Sequence, residues 1–205
     1  MGEEKEYMKR LWKSKKTIIE MLKDRGHTVE EIESFEDFIK TRSVFGSGAS
    51  VKNEDILNLK LSATNPPVEV YWHNKLSTEI IKSYSEFLAE ESIDHIIFVC
   101  NNITSPAEEA IKNLKTLYDI EVFFTSYTII NITKHQLVPR HRICTAEEKR
   151  EILSSYNTSL AKLPQILLSD PICRYYHAKK NDIFLIERNS NILKGEKIIT
   201  YRVVA

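Results

Sequence analysis

The first 40 residues repeat apolar and polar positions with the period of an α-helix. Apolar side chains at helical spacing are Met8, Leu11, Trp12, Ile18, Ile19 and Leu22, and Gly26 follows where a helix would end in the left-handed conformation. Thr28 with Glu31 has the pattern of a capping box, which predicts the start of a second helix. Its apolar face would be Val29, Ile32, Phe35 and Ile39. The basic side chains of the first helix, expected on a solvated face, are Lys9, Arg10, Lys13, Lys15 and Lys16.

After a glycine-containing segment at residues 43–53, the period changes to that of β-strands. Ser105, Pro106 and Glu108 combine an N-cap residue, a first-turn proline and a capping carboxylate, so they predict a helix start. In chain order, the predicted elements are strands at 57–61 and 68–72, a helix at 80–88, a buried strand at 96–100, a helix through Ile111 and Leu114, and strands at 120–125 and 127–132. This ββαβαββ order predicts a mixed sheet with helices packed on it.

The last third of the chain has a different pattern, and we expect a domain boundary near His135 to Pro139, giving domains 1–134 and 135–205. Thr145 with Glu148 predicts a capped helix, and Asp170 before Pro171 predicts a short helix carrying Arg174. Two closing strands are predicted at 183–186 and 198–204, around a turn at Lys194 and Gly195. The expected fold class is α+β, with helices and a mixed sheet in the N-terminal domain and a small α/β C-terminal domain.

Composition is that of an ordinary globular protein, with 42% apolar and 28% charged residues among 205, which excludes a disordered or fibrous chain. The 29 basic and 29 acidic residues cancel, so a free-standing nucleic-acid binder is disfavoured. The cancellation hides an asymmetry: residues 1–134 carry 17 basic against 22 acidic residues, net −5, and residues 135–205 carry 12 against 7, net +5. No apolar run approaches the ~18 residues of a membrane span, and three widely spaced cysteines fit a reducing, intracellular compartment.

One chemical alternative is a metal-dependent nuclease, which needs two carboxylates on a divalent cation and a lysine near the attacking water. Asp55 and Glu69 would be the carboxylates. The lysine of such sites normally follows the second acid by two residues, but Tyr71 occupies that position and Lys75 lies off the strand's face. The nuclease therefore stays an alternative without its full set of residues.

A second alternative is a zinc-stabilised scaffold, because the spacings of His141 with Cys144 and of Cys173 with His177 can each place two ligands on one metal. A connector histidine, a cysteine before a helix cap and a Cys–His pair one turn apart need no metal. Cys100 at the end of a buried strand fits a core cysteine better than a nucleophile.

Two stretches together resemble a known family. The opening segment, with Leu11, Trp12, Lys13, Lys16, Thr17, Ile18, Asp24, Arg25 and Gly26, is similar to the first helix of the fifth subunit of eukaryotic DNA-directed RNA polymerases. The C-terminal part resembles the small domain that this subunit shares with its archaeal counterpart, through Ile132, Thr133, His135, Leu137, Val138, Pro139, His141, Glu147, Glu148, Leu163, Pro164, Ile166, Asp170, Pro171, Arg174, Tyr175, Tyr176, Thr200, Tyr201, Arg202 and Val203. The resemblance covers nearly the whole chain, and it is weak over residues 42–94.

The resemblance implies a non-catalytic polymerase subunit, with no metal, no cofactor, no small-molecule substrate and no membrane. Its N-terminal part would form a jaw with a nuclease-like fold that lacks a nuclease site. The family contacts downstream duplex DNA at a Thr-Pro-Ser-Ala turn before a helix, which corresponds here to Thr104, Ser105, Pro106 and Ala107 with the middle pair transposed. Backbone N–H groups at that helix terminus can bind a phosphate.

The same resemblance implies that the C-terminal domain docks on the largest polymerase subunit and joins the rest of the polymerase core. Its net charge of +5 suits an acidic partner surface. The residues carried over for docking or for the domain junction are His135, Leu137, Val138, Pro139, His141, Asp170, Pro171, Arg174, Tyr175, Tyr201 and Arg202. The divergent middle and the transposed turn favour a copy encoded by a large DNA virus, acting in the host cytoplasm and carried in the virion. A cellular copy would act in the nucleus.

Overall fold

The computed structural model describes residues 2–43, 59–91, 93–189 and 197–205. Two compact units divide the chain, Met1–Ile130 and Asn131–Ala205. Each unit combines helices with a four-stranded sheet, which confirms the expected α+β class. The predicted strand positions 57 and 58, the acidic residue Asp55 and the predicted turn at Lys194 and Gly195 lie outside the described residues.

The N-terminal unit surrounds one mixed sheet with helices. Its helices are α1 (Gly2–Asp24), α2 (Phe35–Ser43), α3 (Thr78–Glu91), α4 (Ser105–Leu114) and α5 (Thr125–Thr128), and its strands are β1 (Lys60–Ala63), β2 (Val68–Leu76), β3 (His95–Ile103) and β4 (Asp119–Phe124). The strand order is β1-β2-β3-β4. β1 and β2 are antiparallel, whereas the β2–β3 and β3–β4 pairs are parallel. The two parallel pairs need crossover connections, which α3 and α4 supply.

The central strand β3 explains why both faces of this sheet are covered. Residues 96–100 of β3 are all buried, as the continuous apolar run predicts. On one face, Ile96, Phe98 and Cys100 pack with apolar residues of α3 and α4. On the other face, Trp72 of β2 donates its indole N–H to the Oγ of Ser14 in α1 at 3.0 Å, so α1 lies against the sheet there.

Beyond the C-terminus of α1, a buried ion pair connects the chain to β4. Arg25 donates to both carboxylate oxygens of Glu121, at 2.6 and 3.0 Å. The same carboxylate accepts a hydrogen bond from His95 Nε2 at 2.9 Å. Bidentate geometry of this kind gives an arginine–carboxylate pair directional as well as electrostatic strength. The cationic residue that follows α1 therefore helps to fix where the helix ends relative to the sheet.

Two features of the predicted N-terminal helices are wrong. The second helix begins at Phe35, where Ser34 Oγ accepts a hydrogen bond from Asp37 N–H at 3.2 Å. Thr28 caps no helix, because its N–H and carbonyl form a two-way bridge with Thr64, at 2.9 and 3.0 Å. Lys15 is buried rather than solvated, and its ammonium contacts the carboxylates of two glutamates of the α1–α2 connection, each at 2.7 Å.

The predicted strand at 127–132 is also wrong. The chain instead forms α5 and, after it, a 3₁₀ turn at Ile132–Lys134. Thr128 is buried, and its hydroxyl donates to the carbonyl of Thr125 at 3.0 Å while Ser14 lies 2.7 Å from the same oxygen. A helical turn places both groups in reach of Thr128, and an extended strand would not. The hydrogen bonds of the buried Thr128 hydroxyl thus outweigh the β-propensity of residues 127–132.

The C-terminal unit has a smaller mixed sheet. Its elements are β5 (Arg140–Ile143), α6 (Ala146–Ser155), a 3₁₀ turn (Leu160–Lys162), β6 (Gln165–Ile166), α7 (Pro171–Tyr175), β7 (Ile183–Asn189) and β8 (Lys197–Val204). The strand order is β5-β7-β8-β6, in which only the β6–β8 pair is parallel. Phe184 and Ile186 lie at the centre of its core.

Both start signals predicted in this unit are confirmed. Thr145 Oγ1 accepts from the N–H of Glu148 at 3.2 Å, while the Glu148 carboxylate accepts from the N–H of Thr145 at 2.8 Å. Asp170 caps α7 by accepting from Ile172 N–H at 2.8 Å, and Pro171 is the first helical residue. Across the described ranges of both units, no helix is long and apolar enough to cross a lipid bilayer.

Candidate functional site

The turn between β3 and α4 holds the four residues that the resemblance assigns to DNA contact. Thr104, rather than the predicted Ser105, is the N-cap: its backbone is extended, and its Oγ1 accepts from the N–H of Ala107 at 3.4 Å. The Thr104 N–H donates to the carbonyl of Leu76 at 3.1 Å, which ties the turn to the end of β2. Ser105 and Pro106 are exposed, whereas Ala107 is fully buried in the core beneath α4. Ala107 therefore anchors the helix and offers no side chain to a ligand.

Few backbone donors remain available at this helix terminus. Pro106 has no N–H, and the N–H groups of Ala107 and Glu108 already donate to Thr104. Within the described part of the chain, the backbone N–H of Ser105 has no hydrogen-bond acceptor, so it is the donor that stays available in this first turn. A phosphate at α4 would thus meet one directed N–H together with the positive end of the helix dipole.

A row of polar residues beside this turn is not among the residues predicted from the sequence. Asn74 and Lys75 lie near the end of β2, and Asn101 and Asn102 lie near the end of the parallel strand β3. The Asn101 amide donates to the Asn74 side-chain oxygen at 2.9 Å, and Lys75 is opposite Asn102 in the ladder. Lys75 and Asn102 are exposed. The sequence held one signal for these residues, which is that they directly follow two apolar runs. Ligands of parallel sheets bind beyond the carboxyl ends of the strands, so polar residues at such positions are candidates for binding.

Acidic residues limit how a phosphate could approach. Glu108 and Glu109 are both exposed on α4, and Glu109 is four residues after Ser105, which puts the two on one face of the helix. A phosphate on that face would be repelled. A phosphate could approach more favourably at the end of the helix. Lys75 lies there, one residue before Leu76, whose carbonyl accepts a hydrogen bond from Thr104.

The first group of residues that the resemblance assigns to docking forms a connector in the C-terminal unit. His135 Nδ1 accepts from the N–H of Leu137 at 3.2 Å, which turns the chain and leaves the Leu137 side chain 80% exposed. Val138 packs against the core of this unit. His141 donates from Nδ1 to the carbonyl of Pro139 at 2.7 Å, and burial lowers its pKa below the ordinary value.

The second group lies on and before α7 and is largely internal. The carbonyl of Asp170 accepts from the backbone N–H of Arg174 at 3.0 Å, in addition to the side-chain cap described above. Tyr175 is buried, and its hydroxyl accepts from the amide of Asn131 at 3.1 Å. Pro171 is exposed at the first helical position. Asp170 and Tyr175 thus have structural partners that account for their presence.

The third group lies on β8. Arg202 is exposed, and its Nη1 donates to the carbonyl of Gln165 at 3.0 Å. Tyr201 is half-buried, and its ring packs edge-on against the ring of Tyr156, with 6.1 Å between the ring centroids. Burial raises the Tyr201 pKa above its ordinary value. Tyr201 lies where β8 runs beyond its pairing with β6.

Both units match models of one protein family. Residues 5–134 match RNA polymerase Rpb5, N-terminal domain, and residues 130–204 match RNA polymerase Rpb5, C-terminal domain. The chain belongs to the Rpb5 family. Members of this family are non-catalytic subunits of DNA-directed RNA polymerase, and this chain is such a non-catalytic subunit rather than an enzyme in its own right.

Individual relatives agree with the two Rpb5 domains. The chain is 31% identical over 203 residues to the DNA-directed RNA polymerases I, II, and III subunit RPABC1 of Caenorhabditis briggsae, and the alignment covers 95% of each chain. It is 30% identical over 190 residues to the DNA-directed RNA polymerase subunit 5-like protein 1 of Arabidopsis thaliana, covering 88% of this chain and 89% of that protein. The similarity therefore extends over both units.

The residues considered for a nuclease have other partners in this Rpb5 chain. Glu69 accepts from the Ser62 hydroxyl at 2.9 Å and forms an ion pair with Lys60 at 3.2 Å. The Lys60 ammonium also lies 5.6 Å from the ring centre of Tyr71, the residue that replaces the expected lysine. These contacts use Glu69 to hold β1 against β2. Neither the family nor the relatives named above give the nuclease alternative any support.

The residues considered for zinc are not gathered into a metal site. Within the described residues, no three of His141, Cys144, Cys173 and His177 come close enough to share one ion. Cys173 is buried, and burial raises its pKa to about 11, which disfavours the thiolate that zinc requires. Cys100 is likewise buried, with its pKa raised to about 11, as a core cysteine would be.

Proposed function

We propose that the C-terminal unit docks this chain on the largest subunit of a multisubunit RNA polymerase, while the N-terminal unit forms the part of a jaw that contacts downstream duplex DNA. The observation that carries the proposal is the presence of both Rpb5 domains, in order, over almost the full length of the chain. A polymerase subunit without chemistry of its own acts by binding.

Charge supports the assignment of the C-terminal unit to docking. Residues 135–205 carry a net charge of +5, from 12 basic and 7 acidic residues. Exposed Arg140, Arg188 and Arg202 lie on its sheet, and Leu137 is exposed on the connector before β5. Complementary charge speeds encounter with an acidic surface and fixes its register.

The turn before α4 supports contact with DNA phosphates. Proline is tolerated at the first positions of a helix because the N–H groups there have no intrahelical partner. In the order Thr-Ser-Pro-Ala, Pro106 is the second helical residue, so the N–H at the first position, on Ser105, is retained. The transposition therefore keeps the start of the helix. The proline removes the backbone N–H of the second helical residue instead of the first. Lys75 adds the positive charge that the turn itself lacks.

The docking proposal is tested by purifying the tagged full-length chain from its native source and identifying its partners by mass spectrometry. We expect recovery of the two large polymerase subunits and promoter-independent RNA synthesis in the eluate. Both should be lost when residues 135–205 are deleted. A wild-type chain that purifies without polymerase subunits would refute the proposal.

The DNA contact is tested in assembled polymerase with duplex DNA that carries photoreactive groups on the downstream phosphates. Lys75→Glu should reduce cross-linking to this subunit several-fold, because it replaces the nearby cation with an anion. Lys112→Glu is the matched control, since it makes the same charge change on the exposed last turn of α4. Equal cross-linking of wild type and Lys75→Glu would show that this turn does not face DNA.

The compartment is part of the proposal. We infer action in the nucleus for a cellular copy, or in the host cytoplasm and virion for a copy encoded by a large DNA virus. The transposed turn and the weak resemblance over residues 42–94 support the viral option. Sequencing of the genomic DNA that flanks the gene decides between them, because viral or host neighbours identify the genome that carries it.

A further inference from the structure

Within the described residues, one edge of β8 has no pairing strand over most of its length. β8 pairs with β7 along nearly its whole length, whereas β6 pairs only with Val203 and Val204. On the β6 side, Val203 N–H donates to the carbonyl of Pro164 at 2.9 Å, and Ala205 N–H donates to the carbonyl of Ile166 at 3.0 Å. Backbone groups of alternate residues in a strand point to the same side. The N–H and carbonyl groups of Lys197, Ile199 and Tyr201 therefore point to this edge as well.

Proline explains why the ladder stops where it does. The register pairs Gln165 with Val203, so a continued parallel ladder would require an N–H at residue 164 to donate to the Tyr201 carbonyl. Pro164 has no N–H. In addition, the Gln165 carbonyl accepts from the Arg202 guanidinium. Among the described residues, no other strand pairs with β8 on this side, and the backbone groups of Ile199 have no partner there.

The side chains around the open edge are apolar and exposed. Ile198 and Ile199 are 48% and 52% exposed, on opposite faces of the strand. Native proteins usually protect such an edge with charges, proline or a covering segment, because an exposed apolar edge is a template for pairing with another chain. Lys197 does not protect it fully, since its ammonium is engaged by Glu187 at 3.0 Å.

Two arginines lie on one face of the sheet near this edge, Arg202 on β8 itself and Arg188 on β7, one strand further in. Arg188 is opposite Ile198 in the ladder, and Arg202 is four residues further along β8 on the same face. Both are exposed, and within the described part of the chain neither forms an ion pair with a carboxylate. Basic side chains on one face of an open edge favour an incoming strand with acidic residues at alternate positions.

We propose that the outer edge of β8 receives an extended acidic segment of the largest polymerase subunit as an added strand. Backbone hydrogen bonds to Ile199 and Tyr201 would hold it, and Arg188 and Arg202 would pair with its carboxylates. This inference rests on the docking function proposed above and names the surface and the chemistry that perform it. The length of the open edge, Lys197 to Tyr201, accommodates a strand of about five residues at ~3.3 Å per residue.

The contact is mapped by replacing Ile199 with a photoreactive phenylalanine analogue in the full-length chain and irradiating the purified polymerase. The proposal expects the cross-linked peptide to be an acidic segment of the largest subunit. Cross-linking to a second copy of this chain, to a segment without acidic residues, or to no partner while the polymerase is intact would overturn it.

Variants test the two parts of the contact separately. Ile199→Pro removes the outward N–H, and the double variant Arg188→Glu, Arg202→Glu reverses the charge. Each should reduce the polymerase recovered with the tagged chain about tenfold, the effect of losing one or two interfacial hydrogen bonds or ion pairs. The double variant Lys179→Glu, Lys180→Glu changes the charge by the same amount at two exposed residues outside the sheet, so it is the matched charge control and should leave recovery unchanged.

The outcomes separate this inference from the function on which it rests. If the wild-type chain recovers polymerase and the charge-reversal variant recovers as much, the β8 edge is not the docking surface, although the subunit role stands. If the wild-type chain recovers no large subunit, both proposals fail. Circular dichroism of each purified variant checks folding, and should Ile199→Pro not fold, the charge-reversal result decides because its side chains are exposed.

Discussion

The buried hydrogen-bond chain between α1, β2 and α5 gives a sharp test of how the N-terminal unit is held together. Its direction follows from its ends: the indole of Trp72 can only donate, and the Thr128 hydroxyl already donates to a backbone carbonyl. Ser14 must therefore accept from Trp72, at 3.0 Å, and donate to Thr128, at 2.7 Å. Ser14→Ala would leave a buried indole N–H without an acceptor.

The expected loss can be estimated from the two bonds removed. An unsatisfied buried donor costs about 1–3 kcal/mol and a lost hydrogen bond about 0.5–1.5 kcal/mol, while removal of the serine hydroxyl's own desolvation offsets part of this. We expect Ser14→Ala to lower the free energy of unfolding by about 2 kcal/mol. In a Trp72→Phe background, where no indole N–H is left unsatisfied, the same substitution should cost about 1 kcal/mol less.

Urea unfolding followed by tryptophan fluorescence measures this, because both tryptophans, Trp12 and Trp72, belong to the N-terminal unit. A loss of about 2 kcal/mol corresponds to a midpoint shift of roughly 1 M urea. Far-UV circular dichroism follows the Trp72→Phe variants in parallel. Ser83→Ala, at an exposed position of α3, is the control and should change little. A Ser14→Ala loss below about 0.5 kcal/mol, or an equal loss in both backgrounds, would refute the reasoning.

Single side chains provide three further tests. Thr104→Ala removes the cap of α4 and should lower the unfolding free energy by about 1 kcal/mol in the same urea assay; no change would mean that the cap is not formed. Arg142 donates to both carboxylate oxygens of Glu148, at 2.7 and 2.8 Å, and holds its pKa to about 2, below the ordinary value of 4.5. This carboxylate therefore stabilises the fold above its unfolded pKa and loses that effect as pH falls. Glu148→Gln should therefore lower thermal stability at neutral pH, by an amount that vanishes near pH 2, and a pH-independent difference would contradict this. Iodoacetamide at neutral pH should label the half-buried Cys144 before Cys100 and Cys173, whose pKa values burial raises to about 11, as read by peptide mass spectrometry; labelling at equal rates would disagree.

The sequence predicts elements well where the local signal and the distant contacts agree. The apolar run of β3 needs burial on both faces, and α3 and α4 supply it on one face while α1 lies against the other. The capping box of Thr145 and the Asp170–Pro171 start need only their own neighbours, and both form as predicted. The charge difference between the two halves is likewise present in composition alone.

Prediction fails where a distant partner competes with the local signal. Thr28 and Glu31 have the correct spacing for a capping box, but the backbone of Thr28 bonds to Thr64, which no local pattern reveals. Lys15 belongs to a basic stretch, yet its ammonium finds two carboxylates and is buried with them. In both cases the deciding partner is distant in sequence and lies outside any short window.

The same reasoning explains why the candidate docking edge could not be found from sequence. The resemblance predicts a docking role for Tyr201 and Arg202, without any indication of which atoms they would present. The open edge depends on Pro164, which stops the β6–β8 ladder one residue before it would satisfy the Tyr201 carbonyl. Gln165 pairs with Val203, so the residue before it, Pro164, faces a strand that is distant in sequence. Because this proline has no N–H, backbone groups of that strand stay available for another partner. If that edge binds the polymerase, Pro164 is a determinant of assembly that contacts no partner itself.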